Sequence, residues 1–350
     1  MTAPLLANLD FPLAAPPAPG EFVAVDPNVV WIRMPLPFAL DHINLWLLPD
    51  GDGWIAVDSG LGDAATRALW EKHFAAALGG RPIRRVVATH FHPDHVGNAA
   101  WLAARFGCPV AMTHAEYLIA HAVADERSGY GGPAVSALFR RHGLPADDVA
   151  ALERLGNRYR RGVPELPLTF ERLQDGDTVH AGGTAWRVVE GHGHSPEHAA
   201  LHSAERGILI SGDMLLPTIS TNVSVTAAEP DADPLARFLD SLAAYDALPP
   251  DTLVLPSHGM PFRGIGLRTA QLRAHHAARL AVLAAAVRDG GETGLSAADA
   301  VPVLFERELD VHQTFFAMGE AIAHLNHLWR TGRLDRRIAA DGAIRFVPRR

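Results

Sequence analysis

Val86-Val87-Ala88-Thr89-His90-Phe91-His92-Pro93-Asp94-His95 is the stretch that decides the reading of this chain. The apolar triplet fits a short buried strand, and four potential metal ligands, His90, His92, Asp94 and His95, follow it within six residues. A strand end fixes the backbone while the following loop turns side chains inward, and mixed imidazole and carboxylate donors suit zinc or a similar divalent ion. Surface histidines explain one or two such residues and not the whole cluster. A metal site is therefore expected here.

Working outward, the N-terminal third reads as short apolar runs, Val29 to Met34, Ile43 to Leu48 and Trp54 to Val57, separated by Pro/Asp/Gly turns as in antiparallel strands. Asp63 is placed to cap a helix carrying Ala64, Ala68, Leu69 and Phe74 and closing at Gly79-Gly80, and a second helix is expected from Asn98 to Phe106. Between His114 and Pro167 helical stretches broken by Gly and Pro suggest an inserted helical region or lid. Strands resume near Phe170, Val179, Trp186, Ala199 and Ile208, then a helix from Asp233 to Tyr245 and a buried strand Leu253-Val254-Leu255. From Ile265 the pattern gives three helices and a final hairpin, a winged-helix-like arrangement.

The segment Thr89 to His95 resembles the hallmark of the metallo-β-lactamase superfamily, Thr-His-x-His-x-Asp-His, and matches it in full. Further family markers follow in order. Asp58-Ser59-Gly60 resembles the Asp-Thr/Ser-Gly turn, Gly193-His194-Ser195-Pro196-Glu197-His198 the Pro-Gly-His-Thr/Ser-x-x-His segment, Ser211-Gly212-Asp213 the Gly-Asp turn, and Leu255-Pro256-Ser257-His258-Gly259 the last His-Gly turn. The resemblance runs from about residue 22 to 262. Glu197 departs from the Gly often found there in thioesterase-like members.

This resemblance implies an α/β fold, a four-layer αββα sandwich, with the inserted helical region and a smaller, mainly helical C-terminal domain. The expected organisation is an extended arm over 1–20, a catalytic domain over 21–262 with its insertion at about 114–167, and a winged-helix-like domain over 263–350. It also implies that His90, His92 and His194 hold one metal, that Asp94, His95 and His258 hold the other, and that Asp213 bridges them. The cofactors are then two divalent ions, zinc first, with iron or manganese as alternatives. A hydroxide shared by the ions attacks an ester, thioester or lactone carbonyl of a small molecule. Asp94 is the expected catalytic residue, orienting that nucleophile and shuttling its proton. Asp58 is placed to accept from a ligand imidazole or to cap its own turn, and His198 to sit behind the ligands, face substrate or pack beneath the site. Ser220 to Ser224 falls where a loop would meet substrate, whereas Arg154, Arg158, Arg160 and Arg161 read as a solvated helix face.

Composition narrows the alternatives. Hydrophobic residues make up 48% and charged residues 20%, ordinary globular values, and no apolar run approaches the roughly 20 residues of a bilayer span. The first twenty residues lack a basic, then apolar, secretion pattern, and the single cysteine, Cys108, forms no internal disulfide, so a cytoplasmic address is expected. Cys108 reads as a buried structural thiol. The formal net charge of −8 divides unevenly: from Arg263 onward 13 Arg face 9 acids, leaving 18 basic against 30 acidic residues before it. The positive tail makes an endoribonuclease-like phosphodiesterase the competing function. The acidic catalytic part, with Lys72 its sole lysine, disfavours nucleic acid as a partner. A small-molecule substrate, no membrane and a homodimer complete the expectations, with the tail either a dimerisation element or a wall of the substrate pocket.

Overall fold

The structure, a computed structural model, describes residues 9–349. The part of the N-terminal arm that precedes Leu9 lies outside the described residues. Two sheets dominate. The first has seven strands in sequence order, β1 (Phe22–Asp26), β2 (Val29–Pro35), β3 (His42–Asp50), β4 (Gly53–Val57), β5 (Ile83–Val87), β6 (Val110–Thr113) and β7 (Glu171–Leu173). The second has β8 (Thr178–Ala181), β9 (Thr184–Gly191), β10 (His198–Ser203), β11 (Ile208–Gly212) and β12 (Leu253–Pro256), in the order β12-β11-β10-β9-β8. A hairpin of β13 (Leu334–Ile338) and β14 (Ile344–Pro348) stands apart from both.

Why the strands are apolar on both faces follows from the layers. Along β2, Val29 and Trp31 enter one core and Val30 and Ile32 another, because successive side chains of a strand point to opposite faces. The inner core joins the sheets through Trp31, Trp46, Trp186, Leu201 and Ile210, with Trp31 and Trp46 stacked at 5.7 Å. Helices cover both outer faces. On the first sheet lie α1 (Ala64–Ala75), α2 (Pro93–Val96), α3 (Ala99–Phe106) and α4 (His114–Ala124), and α5 (Gly132–Arg141), α6 (Ala146–Arg154) and α7 (Arg158–Gly162) continue the insertion. Beyond the second sheet lie α8 (Pro234–Asp246), α9 (Ile265–Asp289), α10 (Ala297–Leu304) and α11 (Val311–Arg330). The order helix, sheet, sheet, helix is the αββα sandwich.

Local sequence sets the helix ends. Asp63 accepts from Thr66 N at 2.7 Å to cap α1, which stops at Ala75, a few residues before the expected Gly79-Gly80. Ser296 and Asp310 open α10 and α11 with reciprocal capping boxes. The C-terminal helices do not form a detached core: Leu272, Leu283, Met318 and Ile322 share one cluster with Val189, Ala200 and Leu209 of the second sheet. Among the described residues no helix is long and apolar enough to cross a membrane.

Candidate metal centre

Every candidate ligand sits where a strand stops. β5 ends at Val87 and hands over to the loop of His90 and His92, where Pro93, at the first position of α2, starts the short turn carrying Asp94 and His95. β9 leads into His194, β11 into Asp213 and β12 into His258. The parallel pairing of β11 with β12, continued by Ser257 N donating to Gly212 O at 3.2 Å, brings the last two together. All seven donors converge, as His90, His92, His194 and Asp213 in one group and Asp94, His95 and His258 in a second, with the ligand atoms of each group within 4.8 Å of one another.

Asp213 touches both groups. Its Oδ2 lies 3.4 Å from His194 Nε2, while its Oδ1 lies 3.4 Å from His258 Nε2 and 3.6 Å from His95 Nε2. Asp94 Oδ2 stands 3.5 Å from His258 Nε2 and 3.7 Å from His95 Nε2. His90 Nε2 is 2.8 Å from His92 Nδ1 and 3.2 Å from His194 Nε2.

The imidazoles are held from behind, which fixes the nitrogen each offers. His194 Nδ1 donates to Asn222 O at 2.7 Å, His258 Nδ1 to His42 O at 2.7 Å and His95 Nδ1 to Asp58 Oδ2 at 2.8 Å, while His90 Nδ1 meets Thr89 Oγ1 at 3.1 Å. Their Nε2 atoms are left facing the common space, whereas His92 presents Nδ1 to His90 Nε2.

These residues fit divalent cations. His95 Nε2 and Asp213 Oδ1 are buried without a hydrogen-bond partner, yet they face one another across the cluster, and buried polar atoms are rarely orphaned without a reason. Burial, then the neighbouring imidazoles, pushes His90 far down toward its neutral, ligating form. Burial opposes charge on His95, but Asp58, Asp94 and Asp213 outweigh it and hold that imidazole above its usual range. Burial likewise opposes charge on Asp213, yet His258 and His95 hold its carboxyl well below the carboxylate range. The carboxylates thus draw positive charge into a buried pocket, which is what a divalent cation supplies.

The residues expected behind the ligands have definite places. Asp58, at φ 64° and fully enclosed, accepts from Thr89 N (2.8 Å), Thr89 Oγ1 (3.0 Å) and His95 Nδ1, so it both pins the turn and orients a candidate ligand. His198 packs behind the Asp213 turn. It is buried, its Nε2 accepts from Asp213 N at 3.1 Å, and burial, then His194, pushes its pKa down to about 3. Gly212, at φ 53°, leaves room for that ring, because a Cβ there would collide with it.

The Ser220 to Ser224 loop braces two of the candidate ligands: Thr221 Oγ1 donates to Asp213 O at 2.6 Å and Asn222 O receives His194. The arginine face is solvated only in part. Arg154 and Arg161 are exposed, but Arg160 is tied to Asp125 at 2.8 Å and Arg158 is half-buried. Cys108 is half-buried, its thiol pushed up to about 11 by burial.

Other positioning residues carry no sequence signal. Glu116 of α4 is buried and accepts from Phe91 N (2.9 Å) and Glu197 N (2.8 Å), joining the two loops that bear His92 and His194. Asn44 of β3 donates to Pro256 O (2.8 Å) and Gly259 O (3.0 Å), and His42 Nε2 accepts from Gly259 N (2.8 Å), clamping the His258 turn across the sheets. Nothing near Asp41-His42 or Glu116 in the chain announces these contacts.

Comparison with known proteins agrees with this geometry. The family described as the metallo-beta-lactamase superfamily matches residues 39–258, and the metallo-beta-lactamase-like C-terminal domain matches residues 280–349. A beta-lactamase domain protein from Burkholderia ambifaria is 49% identical, with a TM-score of 0.92 and 99% of each chain covered. A hydroxyacylglutathione hydrolase from Cereibacter sphaeroides is 24% identical over 229 residues, 63% of this chain and 66% of its own. An acyl-coenzyme A thioesterase from Gallus gallus is 29% identical over 197 residues, 54% of this chain and 63% of its own. The chain thus spans just under two thirds of the length of these two relatives.

Proposed function

Because the chain belongs to the metallo-beta-lactamase superfamily, we propose that it is a binuclear metal-dependent hydrolase acting on small-molecule thioesters. The observation that carries the reading is the convergence of His90, His92 and His194 on one side and Asp94, His95 and His258 on the other, with Asp213 reaching both. Two divalent ions in those sets, zinc by the nature of the donors, supply a water of lowered pKa and polarise the carbonyl under attack.

The protein's own groups do the rest. Asp94, whose carboxylate is the partly open one of the set, with its side chain 19% exposed against 11% for Asp213, is placed to take a proton from the attacking water on Oδ1 or Oδ2 and return it to the leaving thiolate. Asp58, Asn222 and the His42 carbonyl keep His95, His194 and His258 in register while charge moves. The thioester class is supported by the two relatives named for hydrolysis of glutathione and coenzyme A conjugates. Residues 21–262 then form the catalytic unit, and 263–350 a winged-helix-like domain that walls it.

The test is a chelator-stripped full chain reloaded with zinc or manganese and offered acyl-coenzyme A, acyl-glutathione, lactones and single-stranded RNA. Thioester turnover that depends on the metal is the expected result. Turnover confined to lactones or RNA overturns the substrate class, and no turnover of any of them overturns the hydrolase reading.

A further inference from the structure

Arg158 opens α7, and the residue after it, Tyr159, donates its hydroxyl to Phe91 O at 2.7 Å, directly behind the His90 and His92 loop. On the opposite side the loop between β2 and β3 carries Phe38 and runs into His42, which holds His258. The two loops, each tied to one group of ligands, are joined by the C-terminal helix α11. His312 stacks on Phe38 at 5.2 Å and 11°, and its Nε2 lies 3.5 Å from Arg158 Nη2. Phe316 stands edge-on to His312 at 5.1 Å, and both Phe38 and Phe316 remain exposed, at 43% and 39%.

The charge of Arg158 is unbalanced. Its guanidinium is half-buried and sits 5.6 Å over the Phe315 ring, but among the described residues no carboxylate forms an ion pair with it. Arg160, two residues on, has Asp125. Burial lowers the pKa of Arg158, with Arg161 adding to the fall and Asp310 only partly opposing it. A cation taken partly out of water without a counter-charge is costly unless a ligand supplies one, and a guanidinium fork matches carboxylate or phosphate geometry. Exposed aromatic faces beside it offer stacking to a planar group.

We propose that Arg158, His312, Phe38 and Phe316 form a subsite for the anionic tail of the thioester's thiol carrier, a phosphate or a carboxylate. The inference rests on the thioester reading above for its acyl end, while the subsite is tested by binding alone. The C-terminal helix then contributes directly to substrate selection through His312.

Titration calorimetry with two probes that carry no scissile bond, coenzyme A and S-hexylglutathione, separates phosphate from carboxylate as the source of the anion. At least one binds the wild-type chain, and Arg158→Gln weakens that binding roughly tenfold or more, with Arg158→Lys recovering part of it. In turnover, the preference for that carrier's thioester over the neutral N-acetylcysteamine thioester falls by a similar factor in Arg158→Gln. If Arg158→Gln does not fold, Phe38→Ala on the exposed loop is expected to weaken the same probe. Binding of neither probe, or binding unchanged in Arg158→Gln and Phe38→Ala, overturns the subsite even where thioesters are hydrolysed. Probe binding that depends on Arg158 without thioester turnover upholds the subsite and overturns the proposed reaction instead.

Discussion

Asp58 Oδ2 and His95 Nδ1 lie 2.8 Å apart with both side chains buried, so one carboxylate at the end of β4 sets the orientation of a candidate ligand 37 residues away. Asp58→Asn keeps the shape but gives up the charge and one acceptor. Partners of this kind typically contribute about 10- to 100-fold to metal affinity. Competition with a chromophoric chelator is therefore expected to show one of the two ions loosened by that order while the other is retained. Equal affinity for both ions in wild type and variant contradicts the role assigned to Asp58.

Gly212 and His198 are coupled through space. Gly212→Ala adds a Cβ at φ 53° against the His198 ring, which accepts the Asp213 N–H. The strain is on the order of 1–3 kcal/mol, and Asp213 shifts with it. Urea unfolding is expected to show the stability loss and metal analysis a reduced ion count; a variant with native stability and full metal content contradicts the geometry.

How much of this was legible in the sequence depends on how each residue acts. The seven candidate ligands sit in short segments whose spacing is visible without a structure, since each closes a strand. The layers follow from two-sided apolar runs such as Val29 to Ile32. His42, Asn44, Glu116 and Asn222 were not legible as positioning groups, because they work through backbone N–H and carbonyl groups brought near only by folding; His42 and His258 are 216 residues apart. The expectation of a solvated arginine face holds at Arg154, Arg160 and Arg161 and fails at Arg158, because helical periodicity does not show that α11 lays His312 against it.

Glu320 of α11 is buried and lies 3.4 Å from Arg279 Nε. Glu320→Ala leaves Arg279 uncompensated and is expected to destabilise the chain by about 3–5 kcal/mol. Glu320→Gln keeps a hydrogen-bonding group and is expected to lose less. Thermal unfolding of both variants checks the order, and a Glu320→Ala variant as stable as wild type contradicts it.

Stability falls in mild acid through histidines far from the metal centre. His142 is buried against Phe346, neither ring nitrogen has a hydrogen-bond partner, and burial, followed by Arg336 and Arg141, pushes its pKa down to about 4. Its folded pKa lies below the unfolded value of about 6.5, so the unfolded chain binds the proton first. Stability therefore drops as pH falls through 6.5 toward 4, by about 1.4 kcal/mol per unit for this group. Relative to each protein's own stability at pH 7, His142→Leu is expected to keep roughly 2 kcal/mol more than wild type at pH 5 by urea unfolding. Parallel losses in the two proteins contradict the assignment.

The most direct test of the account is the number of divalent ions per chain, measured by elemental analysis after chelator stripping, zinc reloading and desalting, in wild type and His258→Ala. Two ions for the wild type and about one for the variant, which keeps His90, His92, His194 and Asp213, is the predicted result. One ion in both proteins, or none, contradicts a binuclear centre.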